Sequence, residues 1–332
     1  MAVATELELR EAVALCTPDG RLNRDAVGWS RRPLHDCALP GSWGRRKRWD
    51  YWCVTAPGCV LSLTFADVDY LGLADVWFLD LAEERAYARS AVQPLARHLV
   101  VPDRVGEKST RVEQLGLHLA ITEEDGGTRL SASHEKTGFH ADVLVERPDG
   151  HETMSVVIPW SDRRFQCTTK ENTRPARGAV RWEDRAYDID GWGCLDFGRG
   201  KWPYRTLWNW GSASGFTGGH VVGLQLGGKW TAGTGMTENA LCVDGRLTKI
   251  SEELTWTYDR TDWLRPWRIT GADVDLTFAP VYDKRSRLEL GAASSAVHQC
   301  FGTYTGTVTP DSGTPITVTD LFGWAEEAQW RW

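Results

Sequence analysis

The sequence predicts an all-β protein, mostly antiparallel and built in two halves, on three observations. Apolar residues recur with period two along many segments, turn pairs punctuate those segments, and helical periodicity is weak throughout. Val60-Leu61-Ser62-Leu63-Thr64-Phe65 alternates, as does the stretch 272–278, each with one apolar and one polar face. Asp149-Gly150, Asp244-Gly245 and Asp311-Ser312-Gly313 tolerate positive φ, so each is expected to reverse the chain between strands. The best helical candidate, residues 81–99, is interrupted by Pro94, whose ring and missing N–H break a helix interior. Helix is therefore expected to be a minority.

Glycine totals 33, and pairs such as Gly218-Gly219 and Gly227-Gly228 interrupt strand-like stretches, where glycine marks bulges or barrel corners. Closure of the sheets into barrels is the reading that follows. The polar, proline-containing stretch 170–178 near the midpoint is the linker candidate. It divides the chain into expected units at 1–178 and 179–332.

At 332 residues, 42% hydrophobic and 25% charged, the chain has the composition of a soluble globular protein. No apolar run approaches the ~20 residues that span a bilayer, so no stable membrane insertion is expected. The first residues carry acids and lack a basic stretch followed by an apolar one, which predicts a cytoplasmic protein. The formal charge of −7 argues against a nucleic-acid partner. One local exception, Trp43-Gly44-Arg45-Arg46-Lys47-Arg48-Trp49, is read as a solvated strand or turn rather than a single-strand binder.

Eight cysteines without a CxxC pair exclude a zinc ribbon and a thioredoxin-type site, and are read as small buried hydrophobes. The histidines show no HxH or HxxxH spacing, and the glycines form neither a phosphate-binding loop nor a dinucleotide fingerprint. No metal and no cofactor is expected. Gly211-Ser212-Ala213-Ser214-Gly215 has alanine where a nucleophile elbow needs serine.

Tryptophan (18) outnumbers phenylalanine (9) plus tyrosine (8), although a buried indole N–H needs a partner. The density peaks in residues 191–215, where Trp202, Tyr204, Trp208 and Trp210 accompany Asp196, Arg199, Arg205 and Asn209, and this stretch is read as a pocket wall. Two readings of Asp196 stand side by side: a desolvated carboxyl with a raised pKa, suited to general acid catalysis, or a structural carboxylate lowered by Arg199 or Arg205. Glu238, followed by Asn239, is the second catalytic candidate, since two carboxyls in different environments can divide acid from base. His298 and Gln299 are expected to open a strand. Adjacent strand residues face opposite sides, so at most one of them faces the interior.

Several long segments identify the chain as resembling the bacterial domain-of-unknown-function family 2804. They are LCTPDGRLN, GWSRRPL, RKRWDYW, LDFGRGKWPYRTLWNWGSASG, TENALCVDG, Pro266-Trp267, HQCFGTYTG, and GWAEE with a closing RW. At greater distance, an Asp before a glycine turn and then a W-x-W pair is similar to the calycin-like double-barrel group of carotenoid hydratases, Diels–Alderases and ceramide-carrying survival factors. That resemblance implies two lipocalin-like antiparallel β-barrels packed together, and aligns Asp196 with an acid that protonates an alkene. Phe197-Gly198-Arg199 departs from the His/Asn-containing stretch of that group.

The function expected is a cofactor-independent hydratase, isomerase or cyclase acting on a hydrophobic unsaturated small molecule. Asp196 or Glu238 would deliver the proton, and Trp202, Trp208 or Trp210 would stabilise a cation. Tyr204, Arg205, Asn209, Asn239, His298 and Gln299 complete the substrate-binding set. The alternative is a lipocalin-type carrier of a lipid or isoprenoid-like ligand. A third reading makes the aromatic stretch the fastening between the barrels.

Overall fold

The computed structural model describes residues 5–41, 43–290 and 293–331. Residues 1–4, at the head of the segment read for a targeting signal, and the closing Trp332 lie outside them. Two large sheets, antiparallel throughout, account for the architecture, and the first curls into a nearly closed barrel while the second forms a half-barrel packed on it. Among the described residues no helix is long and apolar enough to cross a membrane.

The first sheet holds 12 strands. Its central part runs Leu71–Asp80, Cys59–Asp67, Arg46–Ala56, Arg185–Lys201, Arg164–Trp182 and Phe139–Glu146 in spatial order. The second holds nine, centred on His220–Gly228, Arg205–Thr217, Ile316–Arg331, Ala293–Val308 and Val274–Leu290. Alternation sorts the side chains as the period predicts. Trp52, Val54, Leu61, Leu63, Phe65, Leu195 and Phe197 join the core of the first barrel, and Leu224, Leu226, Ile269, Leu276, Phe278 and Tyr304 that of the second. The turn signals hold too: Asp244 (φ 49°) and Gly245 (φ 77°) join Asn239–Val243 to Arg246–Ile250.

Residues 170–178 are not a linker. They lie inside the 19-residue strand Arg164–Trp182, and their polarity is satisfied by burial with partners: Lys170 on Asp196, Arg174 on Glu171, and the Asn172 amide donating to Ser212 Oγ at 2.7 Å. Pro175 is tolerated because one edge of the strand is unpaired there. Pairing with Met154–Ser161 reaches Lys170, and pairing with Phe139–Glu146 starts at Ala176. The chain passes from first sheet to second at residues 202–204, between Arg185–Lys201 and Arg205–Thr217. Gly218-Gly219 is likewise a hairpin turn (φ 59° and 85°) rather than a strand bulge. Residues 81–99 contain the edge strand Arg85–Pro94, where proline again costs no ladder bond.

Register decides what meets between the barrels. Across the first sheet Lys170, Asp196, Tyr51, Thr64 and Asp75 stand opposite one another, strand to strand. Across the second the corresponding row is Gly227, Trp210, Glu326, Gln299 and Lys284. The two rows face each other. Tyr51 makes an edge contact with Trp210 at 5.7 Å, and its hydroxyl accepts from the Gln299 amide at 3.2 Å. Around them Cys53, Trp77 and Cys194 of one barrel pack on Phe301 and Trp324 of the other.

Candidate functional site

Lys170 is the centre of the junction. Strand alternation puts it on the outer face of the first barrel, with its ammonium 2.9 Å from Asp196 Oδ1, 3.5 Å from Glu238 Oε2 and 4.1 Å from the centre of the Trp210 ring. Burial pulls the ammonium toward neutrality, but the Asp196 and Glu238 carboxylates outweigh it and hold the pKa above its ordinary value. Thr168 also donates to Asp196 Oδ1 at 3.2 Å. Asp196 is thus paired, though with Lys170 rather than with either arginine named from sequence. Arg199 faces the other side of the sheet, where its guanidinium reaches Asp50 at 2.7 Å, and Arg205 is exposed.

Two carboxyls from the second barrel close on this centre. Glu238, on the loop before Asn239–Val243, accepts from Trp230 Nε1 at 2.6 Å; Glu326, on Ile316–Arg331, accepts from Trp208 Nε1 at 2.8 Å. Both are pushed up to about 7, chiefly by burial, with Lys170 and the indole donors opposing the rise and Asp196 adding to it. Glu238 reaches its place because residue 227 is glycine: a Cβ there would stand 2.2 Å from Glu238 Cγ. Lys284, half-buried at the far end of the row, lies 4.2 Å from the Trp77 ring and is lowered by burial against the pull of Asp75.

Indoles form a layer beside the carboxyls. Trp202 has the rings of Trp49, Trp160, Trp208 and Trp230 at 5.0–5.7 Å, and its N–H donates to Gln166 Oε1 at 2.6 Å. These are packing distances. Trp208 and Trp210 therefore line the junction and not the interior of the second barrel. They share strand parity with Ser212, whereas the inner face of the same strand carries Asn209 and Ala213.

The remaining candidates separate. Asn209 is buried beneath the second sheet, donating to Tyr258 and to the Glu326 carbonyl, each at 3.0 Å. Asn239 bridges the Gly227 N–H (2.6 Å) and the Glu252 carbonyl (2.9 Å), which fixes the loop holding Glu238. Tyr204 is exposed. His298 stacks on Trp263 at 4.1 Å and pairs with Asp283 at 3.0 Å, away from Gln299, which points into the junction as strand alternation requires. Sequence reasoning missed Lys170, hidden in the supposed linker, and Glu326, whose signal was the charged pair inside the strand-like GWAEEAQW.

Glu238 Oε2, Gln225 Nε2, Gln166 Nε2 and Trp324 Nε1 are buried without a hydrogen-bond partner among the described residues, and all belong to the junction. Two openings lie elsewhere: a groove of about 340 Å³ beside His220 and Pro310, and a space of about 20 Å³ in the first barrel beside Asp50 and Glu123. Among the described residues no cluster of His, Cys, Asp and Glu is arranged to hold a metal ion.

The architecture is similar to that of solved structures. A candidate AttH from Nitrosomonas europaea superposes with a TM-score of 0.53 at 13% identity, over 87% of this chain and 98% of that one. Kievitone hydratase from Nectria haematococca gives 0.46 at 10% identity over 86% and 88%, and CghA gives 0.41 at 10% over 86% and 87%. The first of these likenesses is one of fold. No curated protein sequence matches the chain. The family described as a domain of unknown function, DUF2804, matches residues 6–332, and the chain belongs to that family.

Proposed function

We propose that the chain is a cofactor-independent enzyme that moves a proton onto and off a hydrophobic, unsaturated small molecule at the junction of its two barrels. One observation carries the reading: Glu238 and Glu326 are both raised to about 7, with Glu238 3.5 Å from the buried Lys170 ammonium and Glu326 within reach of its charge. Near neutrality one can hold a proton while the other accepts one. Glu238 takes the role of acid, since its Oε2 has no hydrogen-bond partner among the described residues and is held 3.5 Å from Lys170, which stabilises the carboxylate left after donation. Asp196 keeps Lys170 charged and in place.

Lys170 also narrows the chemistry. Its ammonium covers the face of Trp210, so that indole is not open to a carbocation, and a second positive charge there would be repelled. Negative charge developing on an enol or enolate is favoured instead, which points to hydration or isomerisation of a double bond conjugated to a carbonyl.

The test is conversion of a panel of enones and isoprenoids, followed by mass spectrometry, with Glu238→Gln and Glu326→Gln. Both variants should fold and lose turnover by ~10²-fold or more. Turnover intact in both removes the proposal, and ligand retained by the wild type without any conversion makes the chain a carrier.

A further inference from the structure

The face that bears Lys170 and Asp196 continues along the strands through two further layers. Two residues on, the position of Asp196 becomes Gly198 and that of Tyr51 becomes Trp49; this is the indole layer, centred on Trp202. Beyond it the same face carries Lys47 and, at the start of its strand, Arg164, with Arg163 at the adjoining turn and Arg45 in the bend that leads into Arg46–Ala56. Six residues of one strand separate Lys170 from Arg164, ~20 Å at the rise of a strand. The order is carboxyls, then indoles, then cations.

The arginines are crowded rather than neutralised. Among the described residues Arg45, Arg163 and Arg164 have no carboxylate partner within ion-pair distance, while Asp67 and Asp69 are engaged by Arg46 and Arg48. Arg164 is lowered by burial and then by Arg45 and Arg163. Lys47 is drawn down to about 8 by burial, with Arg45 adding to the effect against Asp69 and Asp67, and its ammonium lies 4.7 Å from the Tyr70 ring. On a chain of net charge −7, this is a local excess that an anion would relieve.

We infer that the substrate is amphipathic, with its apolar body along the Trp49–Trp202 layer and an anionic head group, carboxylate or phosphate, held by Arg45, Lys47 and Arg164. The inference rests on the junction being the active site, and its test separates the two. Laurate, lauryl phosphate and lauryl alcohol, each as monomers, are titrated against the full chain by quenching of tryptophan fluorescence.

Both anions should bind about tenfold or more tightly than the alcohol, and that preference should fall with added salt. Arg45→Gln and Arg164→Gln should abolish the preference and leave alcohol binding unchanged, Arg164→Lys should restore part of it, and whichever anion binds better identifies the head group. Glu238→Gln should keep the preference, so that loss of turnover there bears only on the proton chemistry. Equal binding of alcohol and anion, a preference that survives in the arginine variants, inorganic phosphate as tight as lauryl phosphate, or retention on anionic vesicles without monomer binding would each overturn it.

Discussion

Lys170 and Trp210 meet across the junction of the barrels, the ammonium of one lying 4.1 Å from the ring centre of the other. The same nitrogen serves Asp196 and Glu238, so one side chain joins the two sheets and balances the charge between them. The contact is at once structural and chemical.

Lys170→Met should leave Asp196 and Glu238 buried without their cation and destabilise the protein by ~3–5 kcal/mol. Adding Asp196→Asn should recover part of that loss, because the stranded charge is removed with its partner. Urea unfolding of the single and double variants measures both effects.

The pH dependence has a definite sign. Glu238 and Glu326 rise from an ordinary 4.5 to about 7, so between those values the folded protein holds protons that the unfolded chain has released. Their stabilising contribution is complete below the unfolded value and is lost as pH rises through about 7. Each shift corresponds to roughly 3 kcal/mol. The urea midpoint of Glu238→Gln/Glu326→Gln should therefore fall less steeply than that of the wild type across this window; parallel curves would show that the carboxyls titrate normally.

Gly227→Ala introduces a methyl 2.2 Å from Glu238 Cγ and 2.6 Å from its Oε1. The carboxyl must leave Trp230, at a cost of ~1–3 kcal/mol, and activity should drop with it. A changed tryptophan emission alongside a modest fall in melting temperature is the expected signature.

Trp202→Ala removes the ring that four other indoles surround, and should cost ~3–5 kcal/mol. Near-ultraviolet circular dichroism should lose intensity beyond the share of one chromophore. An unchanged spectrum would show that the rings are not coupled as placed.

Much of the architecture was legible from local pattern, because strand period and turn chemistry depend on neighbours in sequence. Leu61, Leu63 and Phe65 face the first core as the period predicts, although Val60 and Ser62 on the opposite face are buried too, and Asp244-Gly245 turns the chain. What failed were inferences that polarity means solvent. Lys170 and Asn172 looked like loop and are buried strand, since their partners Asp196, Glu238 and Ser212 come from distant residues. The aromatic stretch lies at the junction, yet nothing local tells which face of Arg205–Thr217 meets the other barrel. Glu326 went unnoticed for the same reason: its burial is set by Trp208 and by a sheet contributed from the other half of the chain.

The facing rows tie the two halves together in inheritance as well as in space. Lys170 comes from one half, and Glu238, Glu326 and Trp210 from the other, so each half supplies countercharge or covering that its partner lacks. Exchange of a single barrel by recombination would strand an ion or uncover an indole, and only a swap that carries both rows would give a working descendant.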